Sequence, residues 1–252
     1  MVGVFPQRRR SSGYVNRPAA GTVTRFAGAT KFDFYVEPFA VSDIQNRILG
    51  IVGRKGSGKT TRVATLLKYS PRIFVWDPMQ DHCDSLPDVI MGLKDPEIDI
   101  DEYFAEAAET KTFAVDYVPD GNIEEEFSEI SELVHIYGHM LFVIEEVPLI
   151  CKAGYLPPMF GRIVRTGRHK GIDVLWTAQR AAEVSRTLTA MTDVWIFFSQ
   201  TEPRDLDAIA ERCGREIAGR VAELGLHDFF VWDVIRRQIM QDSPRLLKRQ
   251  VG

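Results

Sequence analysis

The chain has 252 residues, a formal net charge of −4, and 45% hydrophobic against 26% charged residues, the profile of a soluble globule with one large α/β domain or two small ones. This excludes wholesale disorder, a collagen-like fibre and a disulfide scaffold. The richest apolar stretch, LFVIEEVPLI, carries two glutamates and is too short to span a bilayer, and the start MVGVFPQRRRSSG lacks the apolar core of a secretory signal.

In chain order, the first thirty residues are rich in Gly, Ser, Thr, Pro and Arg without periodicity and read as a basic, flexible or partner-bound arm. KFDFYVEPF alternates well enough for a strand. RILGIVG is an apolar run ending in glycine, and KTTRVATLLKY follows with helical spacing. RIFVWD is the next strand, closed by Asp77-Pro78. A polar, acidic region then holds a helix near 102–110. TFAVDYV reads as a strand, NIEEEFSEISELVHIYG as a helix closed by Gly138, and MLFVIEE as a buried strand. LPPMFGRIVRTG has proline at the start and glycine at the end of a short helix. IDVLWTAQ and DVWIFFS are two more apolar strands. EPRDLDAIAERCG is a helix, and HDFFVWDVIRRQ is a late strand or hairpin arm. Strands that are apolar on both faces and alternate with helices point to an α/β fold, a mostly parallel central sheet flanked by helices. The reading divides the chain into an arm at 1–30, one domain at 31–235 and a basic tail at 236–252. No internal repeat is visible.

Charge is unevenly spread. Residues 1–32 contain no acid, while 95–132 carry fourteen carboxylates against Lys111 alone and read as a solvated acidic face. Between 151 and 180 the sign reverses, with Lys152, Arg162, Arg165, Arg168, Lys170 and Arg180 against Asp173. A locally basic surface of this kind can serve a polyanion even in an acidic chain. Cys83, Cys151 and Cys213 stand far apart without metal-ligand spacing, which suits a reducing compartment. The five histidines show no metal spacing, Trp76, Trp176, Trp195 and Trp232 read as core, and Asp77 reads as a turn former or as a residue behind a bound Mg²⁺.

The most informative residues are Gly53, Arg54, Lys55, Gly56, Ser57, Gly58, Lys59 and Thr60, followed by Thr61, a complete G-x-x-x-x-G-K-[ST] between an apolar strand and a helix. The glycines let successive N–H groups converge on phosphate oxygens, and the helix adds its positive end. In such a cradle Lys59 reaches the β- and γ-phosphates of ATP and the Thr60 hydroxyl faces Mg²⁺. Glu145 and Glu146 close the MLFVIEE strand, where two carboxylates would be costly without an ion or polar partner. The pair resembles a Walker B motif. That resemblance implies Glu145 at the Mg²⁺ shell, directly or through water, and Glu146 polarising the attacking water; cradle and acids are expected on adjacent strands.

From residue 50 to 214 the chain resembles the HerA/FtsK superfamily of ring-forming DNA-pumping ATPases, through GRKGSGKTT, IFVWDP, LFVIEE and GRHKGIDVLWTAQR. The resemblance implies a RecA-like P-loop NTPase fold of the ASCE type. It also implies a polar sensor of the γ-phosphate at Gln179 and an arginine supplied by a neighbouring subunit, with Arg168 and Arg165 as the candidates and Arg162 behind them. A nearly bare motor, without membrane segment or winged-helix reader, is most similar to the genome-packaging ATPases of internal-membrane, double-jelly-roll viruses. The partners implied are double-stranded DNA held without sequence preference, other copies of the chain in a ring, expected as a hexamer, and capsid or membrane-vertex proteins. The location implied is the host cytoplasm or the virion vertex. Lys152, in the segment after the acids, and the arginine-rich ends are the expected DNA contacts. Three other readings stay open: an ATPase for conjugation, secretion or phage assembly recruited to a membrane partner, a small-molecule or nucleotide kinase, and a non-enzymatic nucleotide-dependent scaffold.

Overall fold

The computed structural model describes residues 47–93 and 99–242. The basic arm, the expected strand in KFDFYVEPF and residues 243–252 of the tail lie outside the described residues.

Strand β1 (Ile48–Val52) is buried along its whole length, as an apolar run without alternation requires. It feeds the glycine-rich turn and helix α1 (Lys59–Leu67). Strand β2 (Arg72–Trp76) and a short β3 (Asp88–Met91) follow. Helix α2 (Ile100–Glu109) starts where the Asp99 carboxylate accepts from the backbone N–H groups of Asp101 and Glu102. Strand β4 (Phe113–Val118) leads to α3 (Ile123–Tyr137), capped in the same way by Asn122 and stopped at Gly138, whose φ of 60° needs no Cβ. Strand β5 (Met140–Ile144) precedes α4 (Pro158–Thr166), which begins with proline in its first position. After β6 (Ile172–Ala178) come a short helix α5 (Arg186–Ala190) and β7 (Val194–Phe198). Helices α6 (Pro203–Cys213) and α7 (Arg215–Ala222) meet at Gly214, and β8 (Phe229–Asp233) and β9 (Gln238–Asp242) complete the order.

The nine strands form one sheet in the order β3-β4-β2-β5-β6-β1-β7-β8-β9. Pairing is parallel from β3 through β7 and antiparallel for β7-β8 and β8-β9. The late segment is therefore a hairpin, and the sheet continues beyond 235, where the sequence reading had placed the end of the domain. Strand β3 and helices α5 and α7 have no counterpart in that reading. Strand β6 separates β1 from β5, so the cradle and the acids do not sit on adjacent strands as expected.

Side-chain alternation divides the core. One face carries Val52, Phe74, Trp76, Phe142, Val174 and Trp195, packed by Phe104 of α2, Phe127 of α3, Phe160 of α4, Leu188 of α5, Ile209 of α6 and Val221 of α7. The other carries Leu49, Ile51, Val75, Val143, Leu175 and Ile196 against Val63, Leu66 and Leu67 of α1, the one helix on that face among the described residues. Each such buried aliphatic or aromatic side chain contributes about 1.5–3 kcal/mol. Fourteen acids in 95–132 do not all form a solvated face: Asp116 and Glu126 are buried, and Glu126 accepts hydrogen bonds from the Tyr117 hydroxyl at 2.6 Å and the Gly121 N–H. No helix among the described residues is long and apolar enough to cross a membrane.

Candidate functional site

Strand β1 ends at the cradle. At Gly53 a Cβ would lie 2.5 Å from Cβ of Phe198 and 2.7 Å from Oγ of Ser57, so the turn has room for hydrogen alone. Gly58, at φ 107°, holds the left-handed conformation from which α1 begins. The Ser57 hydroxyl is buried without a hydrogen-bond partner among the described residues, and the Ser57 carbonyl accepts from Nδ1–H of His227 at 3.2 Å. Lys59 donates to the Gly53 carbonyl at 2.9 Å and lies 3.9 Å from Oε1 of Glu146. Burial pulls its pKa below the ordinary lysine value, opposed by the charges of Glu146, Glu145 and Asp81. Arg54, Lys55 and Gly56 form the exposed rim, and Thr61 is exposed on α1. An orphaned hydroxyl, glycines in left-handed backbone, a lysine and a helix N-terminus together suit a phosphate chain.

The carboxylates stand beyond the end of β5. Glu145 is buried, and both of its oxygens are engaged: Oε1 accepts from Nε2–H of His82 at 2.8 Å, and Oε2 accepts from the Thr177 hydroxyl. The same Thr177 oxygen accepts from the Glu146 N–H at 3.0 Å. Glu146 itself sits at φ 48°, ψ 55°, a left-handed conformation that costs a glutamate roughly 1–3 kcal/mol and that aims its side chain at Lys59. Thr60 donates to Asp81 Oδ2 at 3.4 Å. Thr60, Asp81 and Glu145 are thus the oxygen donors around the cradle that could hold Mg²⁺, and hard oxygen ligands are what that ion takes.

Alternation explains why these groups meet. On the α1 side β2 shows Ile73 and Val75, β5 shows Leu141 and Val143, and β6 shows Leu175, so the next outward positions are Asp77, Glu145 and Thr177. Asp116, level with Val75, faces the same way from β4. A polar band therefore crosses the carboxyl ends of β4, β2, β5 and β6 and ends at the cradle on β1. Asp77 is a turn former, accepting from the N–H groups of Met79 at 3.2 Å and His82 at 2.8 Å, and it is fully buried as well. His82, read from sequence as a residue without a site, is part of the arrangement, as are Asp81 and Thr177.

The other expected residues fall as follows. Gln179 follows β6 with its side chain exposed, its carbonyl fixed by the buried Gln200 amide at 2.7 Å. Arg162, Arg165 and Arg168 are exposed. Arg165 donates to the carbonyl of Gly161 in its own helix at 3.0 Å. Arg168 lies in the turn before β6 and acts on Asp193, whose N–H bonds the carbonyl of Ile48 at the start of β1. The five residues of β1, about 16 Å of strand, separate that edge from the cradle, so neither arginine serves the cradle of its own chain. Lys152 is exposed and pairs with the exposed Glu124 at 3.5 Å.

No protein-family model matches the chain, and no curated protein matches it by sequence. Solved structures do. The genome packaging NTPase B204 from Sulfolobus turreted icosahedral virus 2, in complex with AMPPCP, aligns with a TM-score of 0.63 at 22% identity over 79% of this chain and 98% of that one. B204 from Sulfolobus turreted icosahedral virus, described as a DNA-packaging ATPase, gives 0.62 at 21% over 80% and 98%. VirB4 of Thermoanaerobacter pseudethanolicus gives 0.52 at 12% over 79% and 90%. At these identities the likeness establishes the fold alone, a mostly parallel α/β sheet with flanking helices.

Proposed function

We propose that this protein is a Mg²⁺-dependent ATPase that drives double-stranded DNA, packaging a viral genome into a preformed capsid as a ring of identical subunits. The observation that carries the ATPase reading is the convergence of cradle and acids: Lys59 Nζ lies 3.9 Å from Glu146, next to a Glu145 whose two oxygens are locked by His82 and Thr177. Packaging as the use of that activity is supported by the likeness of 79% of the chain to B204 and by the basic stretch at 151–180.

In this reading the cradle N–H groups and Lys59 bind the triphosphate, and Thr60, Glu145 and Asp81 hold the metal. A Mg²⁺ ion held by these oxygens would offset negative charge that develops on the phosphates. Glu145, with both oxygens already hydrogen-bonded, is pre-aligned and contributes through its remaining lone pairs or through metal-bound water. Glu146 has freer reach and accepts the proton of the attacking water. The side chain of Gln179, exposed on a fixed backbone, orients that water or reads the γ-phosphate. Arg168 or Arg165, remote from its own cradle, supplies positive charge to the site of the next subunit; an arginine in that role is worth on the order of 10³–10⁵ in rate. DNA contacts from Lys152 and its neighbours go to phosphates, so binding tolerates sequence and weakens steeply with salt.

The test is ATP turnover with and without long duplex DNA across a salt series, paired with the mass of the assembled species. Stimulation by DNA that fades with salt, in a ring-sized assembly, supports the reading. Turnover indifferent to DNA at every salt concentration overturns the translocase part of it.

A further inference from the structure

At the far end of the polar band, at β2 and β4, two and three strands from the cradle strand's neighbour β6, three potential ligands converge. A carboxylate oxygen of Asp77, one of Asp116 and the Cys83 sulfur all lie within 4.8 Å of one another. Asp77 and Asp116 are fully buried. Among the described residues neither oxygen of Asp116 accepts a hydrogen bond from an N–H or O–H group, and the Cys83 thiol lies against them. The strongest charged influences on Asp116 are Asp77, His82 and Glu145. Isolated buried carboxylates are costly, and the usual remedies are a paired cation, a bound metal or retained protons.

Retained protons are the metal-free solution. Burial, with Asp77 next, raises the Asp116 carboxyl to about 7. The donor set itself is more specific. Two carboxylates and a thiol are brought together from the end of β2, the loop after it and the middle of β4, a set that supplies three of the four ligands of a tetrahedral site. Tetrahedral Zn²⁺ takes such ligands at about 2.0–2.3 Å. A thiolate selects against Mg²⁺ and for a borderline-soft ion.

We propose that Asp77, Cys83 and Asp116 bind one thiophilic divalent cation of the Zn²⁺ class, at a site distinct from the metal of the nucleotide. Binding exchanges the Cys83 thiol proton and the Asp116 proton for the ion, and both protons leave to solvent. The ion ties the loop that carries His82 to strand β4. Because His82 Nε2 holds Glu145, the site would fix one wall of the nucleotide centre without touching substrate.

The experiment uses the full chain, stripped with a chelator under reducing conditions, incubated with Zn²⁺ or Co²⁺ and desalted. One retained ion per chain by elemental mass spectrometry is expected, with a thiolate-to-cobalt charge-transfer band in the near ultraviolet for the Co²⁺ form. Cys83→Ser should abolish the band and weaken Zn²⁺ retention at least tenfold, Asp116→Asn should weaken it comparably, and Cys213→Ser should leave both unchanged. Circular dichroism shows whether each variant folds; if Cys83→Ser does not, Asp116→Asn and the band of the parent chain decide. No retained ion, no thiolate band, or retention by folded Cys83→Ser equal to the parent overturns the site. Nucleotide binding is read separately with a fluorescent ATP analogue and Mg²⁺, so this result stands apart from the ATPase proposal.

Discussion

His82 donates from Nε2 to Oε1 of Glu145 at 2.8 Å, across 63 positions of sequence and with both side chains shut away from solvent. The second oxygen of the same carboxylate belongs to Thr177. A glutamate gripped at both oxygens has one orientation, which is what a group beside a phosphate-bound metal requires.

Replacing His82 by alanine leaves a buried carboxylate oxygen without its donor. The unfolding free energy should fall by about 2–4 kcal/mol, read by urea denaturation, because removing one partner of a buried charged pair exposes the full desolvation cost of the other. Glutamine, which keeps an N–H donor, should recover part of the loss. His82→Ala as stable as the parent would show that the bond does not orient Glu145.

Thr177→Val removes the hydroxyl that serves Glu145 and accepts from the Glu146 N–H, with little change in volume. A loss of about 1–3 kcal/mol in stability is expected from the two orphaned groups, with a lower turnover number. Thr177→Ser should restore both. Steady-state ATP hydrolysis alongside thermal melting separates this from a general packing defect.

Gly53→Ala should abolish nucleotide binding, since a methyl group there meets Phe198 and Ser57 at 2.5 and 2.7 Å. The same change at Gly154, where a Cβ meets nothing within 4 Å, should be tolerated. Fluorescent nucleotide titration of the two variants checks the contrast.

The pH dependence of stability should carry the mark of Asp116. Its carboxyl, raised to about 7 by burial and by Asp77, keeps a proton in the folded chain that the unfolded chain, with an ordinary value of 3.8, has lost. Between those two values the folded state binds more protons, so this group's contribution to stability falls as pH rises and reaches its lowest level above about 7. In chelator-treated protein, Asp116→Asn should therefore flatten the profile and be the more stable form at pH values above the folded pKa. A profile unchanged by the substitution, measured by denaturation over that interval, would remove Asp116 from the account.

Much of this architecture is legible in the sequence, because buried parallel strands are uninterrupted apolar runs and helix ends carry Asp99, Asn122, Pro158 and Gly138. Strand β3 escapes that reading because DVIM is four residues long and only Ile90 is fully buried. Helices α5 and α7 escape it because five and eight residues offer too little periodicity. The cradle is a local motif and can be read directly. His82 and Cys83 cannot, because their partners arrive from β4 and β5, far along the chain. Asp116 did leave a signal: it is a carboxylate at an inward position of the apolar strand TFAVDYV, which a solvated face does not explain. The order β5-β6-β1 is a property of the sheet, and no spacing in the chain encodes it.

In the proposed function the glycine cradle and Glu146 together set up triphosphate cleavage, and this is tested by single-turnover hydrolysis of Mg-ATP by the parent chain and by Glu146→Gln, with nucleotide affinity measured in parallel. Glu146→Gln should bind ATP as the parent does and hydrolyse it about 10²–10⁴-fold more slowly, the range of a positioned general base. Equal hydrolysis by the two proteins would contradict it.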